Sequence, residues 1–174
     1  TLAVMGSQEE RRECIARAAD YDVVITSYDL IRRDHELYEN ITFDYAIADE
    51  AQFIKNPETK NAVAVKKIKA KHRFALTGTP VENNLGELWS IFDFIMPYYL
   101  GSYGSFRDKY ETDVVRGDEG ATERLKRIVK PFILRRLKAD VLKELPAKME
   151  SILDAPLEGE QKKLYEANLS LIRE

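Results

Sequence analysis

Four short apolar runs divide the first half of the chain: Leu2–Met5, Val23–Thr26, Phe43–Ala48 and Arg73–Thr77. Each is separated from the next by a segment with helical signals, so the spacing predicts strand, helix, strand, helix, strand, helix, strand. Alternation of this kind constrains the fold strongly, because parallel strands need crossover connections and the usual crossover is a helix. The β-branched run Val23-Val24-Ile25-Thr26 and the run ending at Ala48 read as buried strands. Ser7 with Glu10 three residues on is a capping-box pattern. It predicts a helix through Ala19 with Cys14, Ile15 and Ala18 facing inward. Ser27-Tyr28-Asp29 opens a polar helix whose apolar contacts are Leu30, Ile31, Leu37 and Tyr38. Asn56-Pro57-Glu58 predicts the start of another, running to about Lys69 with Ala62, Val63, Val65 and Ile68 apolar.

After Pro80 the pattern becomes helical. Leu85, Leu88, Trp89, Phe92, Ile95 and Met96 fall on one helical face, and Pro97 ends it. A short helix over Phe106–Tyr110, a polar turn at Gly117–Gly120 and a basic helix from Ala121 to about Lys130 follow. Beyond Pro131, a second helical piece carries Ile133, Leu134, Leu137, Val141 and Leu142. Met149–Ala155 reads as a strand and Glu160 onward as a final helix. The fold class is therefore α/β, a parallel sheet flanked by helices over residues 1 to 83, followed by a mainly helical part from residue 84.

Composition narrows the function classes. The 174 residues are 44% hydrophobic, enough for one substantial core. The net charge of −3 leaves any nucleic-acid contact to a local patch. Cys14 is the only cysteine, so an internal disulfide is excluded, and His35 and His72 are too isolated to suggest zinc. No apolar stretch is long enough to span a bilayer, and none of the expected partners is a membrane.

Four signals carry chemistry. Asp49 and Glu50 follow an apolar strand, where one carboxylate can hold Mg²⁺ and the other can orient water; a strand end with a helix cap is the plain alternative. Thr77-Gly78-Thr79-Pro80 follows another strand, and its small residues permit close approach of a bound group or simply make a turn. If the two strands are neighbours, both signals line one crevice. Thr26 and Ser27 sit at a helix start, suited to phosphate or to capping. From Arg124 to Lys138 there are seven cations and no acid. That stretch suits a DNA backbone, or a solvated face paired with Asp108, Glu111 and Asp113. No glycine is followed by lysine, so the phosphate-cradling G-x-x-x-x-G-K-[ST] loop is absent from these residues.

The strings Asp49-Glu50-Ala51-Gln52, Ile54-Lys55-Asn56, ALTGTPVENNLGELWSIFDFIMP (Ala75 to Pro97) and PFILRRLKADVLKELPAK (Pro131 to Lys148) stand in an order and spacing that resemble the Swi/Snf-related ATPases of helicase superfamily two. The resemblance covers nearly the whole chain. It implies a partial RecA-like lobe and an ATP-driven translocase on double-stranded DNA that remodels protein–DNA complexes. By resemblance, Asp49 acts on the Mg²⁺ of ATP, Glu50 orients or activates the water, and Gln52, Thr77, Gly78 and Thr79 couple hydrolysis to movement. Gln52 departs from the family's usual His. Thr26, Ser27, Arg135 and Arg136 are the expected DNA contacts.

The resemblance divides the chain at residues 1–83 (later part of a first RecA-like lobe), 84–148 (helical protrusion and connector) and 149–174 (start of a second lobe). It places the phosphate loop upstream and the second lobe, with its arginine finger, downstream. The expectation is an internal piece of a motor, using Mg and ATP only as part of a longer protein and holding neither by itself. A further expectation is an exposed sheet edge at Arg73–Thr77, prone to edge-strand dimerisation. The implied location is the nucleoid region of a prokaryotic cytoplasm, or the nucleus of a eukaryote. Two rival readings are a non-enzymatic interaction module on a helicase-like scaffold and an unrelated Mg²⁺-dependent phosphohydrolase using Asp49 and Glu50.

Overall fold

The computed structural model describes residues 1–78, 84–136, 151 and 153–173. Two compact units divide it, Thr1–Phe132 and Ile133–Glu174. In the first unit, strands β1 (Leu2–Ala3), β2 (Val24–Ile25), β3 (Thr42–Ala48) and β4 (Lys69–Ala75) alternate with helices α1 (Gln8–Ala16), α2 (Tyr28–Asp34) and α3 (Lys60–Lys67). The alternation read from the sequence is therefore present. The strands form two separate parallel pairs, β1 with β2 and β3 with β4.

Local chemistry accounts for the helix starts. Ser7 accepts from the Glu10 amide while the Glu10 carboxylate accepts from the Ser7 amide at 2.7 Å, closing the capping box before α1. Ser27 caps α2 by accepting from the Leu30 amide at 3.3 Å. α3 begins later than the Asn-Pro pattern indicates. Asn56 Oδ1 takes the Glu58 amide in a turn, and Thr59, whose side chain accepts from Ala62, is the cap. Along α3, Ala62, Ala64 and Val65 are buried and Val63 is exposed.

The strands are half-buried, not buried as their apolar runs suggest. Tyr45 and Ile47 on β3, Phe74 on β4 and Val23 and Ile25 at β2 are all exposed. Alternation explains the difference: Ala46, Ala48 and Ala75 turn toward α3 and Phe94, while Tyr45, Ile47 and Phe74 alternate with them and are exposed among the described residues. β4 starts four residues before the expected Arg73, drawn back by register: Thr42 pairs with Lys69 and Ala48 with Ala75. Among the described residues β4 has β3 on one side and no strand on the other.

α4 (Leu85–Ile95) is buried on most of its circumference, from Gly86 to Phe92 and at Phe94, not along one stripe. Its polar positions Glu87, Ser90 and Asp93 meet Lys55, the Ile54 carbonyl and Lys66, so this side of the helix is covered as well. Phe94 packs with Ala48, Ala51, Ile54, Ala62 and Val65, while Leu88, Trp89 and Phe92 pack with Phe106, Tyr110, Leu125 and Val129. α4 therefore joins two cores. Arg73 reinforces the junction by donating to the carbonyls of Phe94 at 3.0 Å and Ile68 at 2.7 Å. A third cluster, Val4, Ile15, Tyr38 and Ile68, closes the β1–β2 end. Beside it, Arg11 makes a two-pronged ion pair with Asp34 at 2.5 and 3.0 Å and donates to the Gly6 carbonyl at 2.8 Å.

The remaining helices of the unit are α5 (Tyr103–Phe106), a π turn over Arg107–Glu111, α6 (Thr112–Val115) and α7 (Glu119–Val129). α7 starts two residues before the expected Ala121, because Asp118 accepts from the Ala121 amide at 3.0 Å and is the cap. In the second unit, α8 spans Gly159–Arg173. Residues 133–136 are not helical, and the rest of the expected second helical piece lies outside the described residues. The described part of the expected Met149–Ala155 strand, residues 151 and 153–155, has no strand conformation. Among the described residues, no helix is long and apolar enough to cross a membrane.

Candidate functional site

Because β3 and β4 run parallel and side by side, Asp49 and Thr77 emerge at the same end of the pair. Main-chain bonds carry the ladder past the last paired residues: the Leu76 amide donates to Ala48 at 2.8 Å, and the Ala51 amide donates to Leu76 at 2.8 Å. The second bond requires the chain to turn sharply between Ala48 and Ala51. Glu50 makes that turn with φ 49° and ψ 53°, the left-handed region. For a residue with a β-carbon this conformation costs about 1–2 kcal/mol, and such strain clusters at functional sites. A short 3₁₀ turn, Ala51–Ile54, follows. Its Ala51 and Ile54 are fully buried, which anchors the base of the turn while Asp49 and Glu50 stay exposed.

Side chains link the two strand ends. Asp49 Oδ1 accepts from the Glu50 amide at 3.0 Å. Gln52 Nε2 donates to Glu50 Oε2 at 2.8 Å, and Gln52 Oε1 accepts from Thr77 Oγ1 at 3.1 Å. A glutamine amide has both a donor and an acceptor, so it can bridge a carboxylate and a hydroxyl at once. Gln52 thus ties Glu50 to the β4 end. The Tyr28 hydroxyl donates to the Asp49 carbonyl at 2.6 Å, and its ring lies 5.8 Å from that of Phe53. Burial, followed by the nearby Asp49 and Glu50 charges, pushes the Tyr28 phenol up to about 12.

The sequence-derived candidates are distributed unevenly. Asp49, Glu50, Gln52 and Thr77 come together as one hydrogen-bonded set. Gly78 has open space where a β-carbon would sit, among the described residues. Thr79 lies outside the described residues. Ser27 is exposed and serves as the α2 cap. The Thr26 hydroxyl is buried beside the Tyr38 hydroxyl and, among the described residues, makes no hydrogen bond of good geometry. Arg135 and Arg136 are exposed residues of the second unit. In the basic stretch, Lys126 pairs with Glu123 on its own helix at 2.9 Å.

Tyr28 and Ser90 complete the surroundings and are not among those candidates. Ser90 on α4 donates to the Ile54 carbonyl at 2.7 Å, fastening the 3₁₀ turn below Glu50. Next to it, Lys66 pairs with Asp93 at 2.9 Å and Lys55 with Glu87 at 3.3 Å. No spacing rule connects Tyr28 to Asp49 or Ser90 to Ile54. Only the string Thr26-Ser27-Tyr28 at a helix start pointed to that neighbourhood.

Among the described residues, no group of three or more His, Cys, Asp or Glu could hold a metal ion. Mg²⁺ bound with a nucleotide is commonly held by one or two carboxylates plus phosphate oxygens and water. The exposed Asp49 carboxylate fits such a shared role.

The sequence matches the SNF2-related domain over residues 1–173. The TATA-binding protein-associated factor mot1 of Aspergillus fumigatus is 38% identical over 177 residues, which cover 95% of this chain and 9% of that protein. The human SWI/SNF-related matrix-associated actin-dependent regulator of chromatin subfamily A member 1 is 37% identical over 146 residues, 84% of this chain and 14% of its own length. The Sulfolobus solfataricus SWI2/SNF2 ATPase core, solved in complex with dsDNA, superposes with a TM-score of 0.67 at 37% identity, covering 97% of this chain and 40% of that one. The chain thus spans a small part of the length of these relatives. The motifs, the paired strand ends and the match across nearly every residue agree, and the chain belongs to the SNF2-related family.

Proposed function

We propose that the chain is part of an ATP-driven translocase on double-stranded DNA that remodels protein–DNA complexes. The observation that carries this reading is the hydrogen-bonded set Asp49, Glu50, Gln52 and Thr77 across two adjacent parallel strand ends. It stands in a chain similar to an ATPase core solved with dsDNA. In this reading residues 1–83 are the later part of a first RecA-like lobe, 84–148 a helical protrusion and connector, and 149–174 the start of a second lobe.

Asp49 would hold the Mg²⁺ that accompanies ATP; the ion supplies charge neutralisation at the phosphates. Glu50, exposed and held by Gln52, orients the attacking water and accepts its proton. Gln52 then reports the state of Glu50 to Thr77, and through Thr77 to Gly78 and Thr79. Thr26, Ser27, Arg135 and Arg136 contact the DNA backbone, so binding weakens steeply with salt. Preservation of affinity between low and high salt would refute that contact.

These 174 residues contain no G-K-[ST] sequence to cradle phosphates. We therefore expect the chain alone not to hydrolyse ATP, because in phosphoryl transfer catalysis is mostly positioning and an arginine finger adds roughly 10³–10⁵. The β4 edge, unpaired among the described residues, gives the isolated chain a route to dimerise at high concentration. In eukaryotes the reading implies a nuclear protein.

The test is DNA-stimulated ATP hydrolysis by the intact gene product. Glu50→Gln should abolish it while ATP binding persists. Hydrolysis unchanged in Glu50→Gln, or DNA-stimulated hydrolysis by the 174-residue chain alone, would overturn the corresponding claim.

A further inference from the structure

We propose that Tyr28 is a positioning residue for Glu50, acting through the main-chain carbonyl of Asp49. The proposal rests on the reading of Glu50 as the water-orienting carboxylate. The carbonyl that Tyr28 holds belongs to the peptide joining Asp49 to Glu50. Holding that carbonyl fixes ψ of Asp49 and φ of Glu50, and so the left-handed turn from which the Glu50 side chain leaves the main chain. Glu50 is in the left-handed region and needs its surroundings to keep it there. The main-chain bond from Ala51 to Leu76 fixes the far side of Glu50. The near side has the Tyr28 hydroxyl at 2.6 Å.

Tyr28 is itself well placed to be a fixed point. It is the first residue of α2, whose start is secured by Ser27, through its side chain to the Leu30 amide and its carbonyl to the Ile31 amide at 3.0 Å. The exposed Phe53 ring lies 5.8 Å from that of Tyr28, a packing contact separate from the hydroxyl bond. The bond also spans 21 residues of sequence, joining the helix that starts beside Thr26 and Ser27 to the carboxylate pair. A contact that alters the start of α2 therefore has a direct mechanical path to the peptide that aims Glu50.

The experiment compares Tyr28→Phe, Phe53→Leu and Glu50→Gln in the intact gene product, measuring ATP hydrolysis at saturating DNA. Tyr28→Phe removes one hydroxyl and keeps the ring. The expected result is a fall in kcat of about tenfold, the size of one lost neutral hydrogen bond, with KM for ATP and melting temperature little changed. Phe53→Leu keeps the hydroxyl and should retain most of kcat. Wild-type kcat in Tyr28→Phe, with Glu50→Gln inactive, would overturn the role of Tyr28 and leave the site reading intact. Equal losses in Tyr28→Phe and Phe53→Leu would also overturn it, since ring packing would then be the cause. Hydrolysis surviving Glu50→Gln would overturn the site reading and the proposal together.

Discussion

Replacing Ser90 with alanine removes the tie between α4 and the turn below the carboxylate pair. The Ser90 hydroxyl is fully buried and donates at 2.7 Å to the carbonyl of Ile54, itself fully buried. Alanine leaves that carbonyl without this donor and without access to water, and the volume lost is too small to admit a replacement. Losing one partner of a buried pair costs about 1–3 kcal/mol. Lys66 also donates to Ser90 at 3.3 Å but keeps Asp93 at 2.9 Å, so its loss adds little. For a chain of 174 residues each kcal/mol lowers the melting temperature by about 2–4 °C. The expected fall is therefore roughly 2–12 °C in a calorimetric or circular-dichroism melt. Thr122→Ala is the control. It removes a solvent-exposed side-chain bond to Asp118 at 3.1 Å, and surface changes stay within about 0.5 kcal/mol. A Ser90→Ala melt within about 1 °C of the parent would refute the claim that this bond carries the α4 junction.

Glu50→Gly should melt above Glu50→Ala, although both lack the carboxylate. The left-handed conformation costs alanine about 1–2 kcal/mol, offset by about 0.4–1 kcal/mol of extra unfolded-state freedom in glycine; Glu50→Ala melting above Glu50→Gly would show that Glu50 is unstrained. Arg11→Met should destabilise through the carboxylate of Asp34 left buried, and adding Asp34→Leu should recover part of the loss. Strictly additive losses in that double-mutant cycle would contradict the coupling. Burial pushes the Tyr28 phenol up to about 12, above the ordinary 10, so the folded state holds its proton longer than the unfolded chain does. The resulting stability is complete below about pH 10 and is lost as pH rises towards 12. Neutralising Asp49 and Glu50 should lower the Tyr28 value in a phenolate absorbance titration yet leave it above 10, because burial is the larger cause. A return to 10 would assign the shift to charge.

Much of the secondary structure was legible because it is set within a few residues. The capping box at Ser7 and Glu10 and the Ser27 cap are exchanges between neighbours, and both form where the sequence indicates. The structure departs from the sequence pattern where a competing turn or a distant partner intervenes. The Asn56-Pro57 start gave way to Thr59 because Asn56 spends its side chain on a turn. β4 begins at Lys69, before any apolar signal, because register with β3 decides it. Apolar runs at β2 and β3 suggested burial on both faces, and a sequence run cannot say which faces are covered; Ile25 and Ile47 are exposed.

For the site, the sequence by itself determined the residue types: two adjacent acids, a glutamine two further on, and a threonine at another strand end. Residue chemistry and order are properties of the chain. Tertiary structure alone decided that Thr77 reaches Gln52, that Glu50 turns left-handed so that Ala51 can bond Leu76, and that Tyr28 and Ser90 secure the turn from two sides. Those contacts join residues 21 to 36 positions apart. Parallel pairing and the burial of α4 bring them together, and no local pattern carries that information.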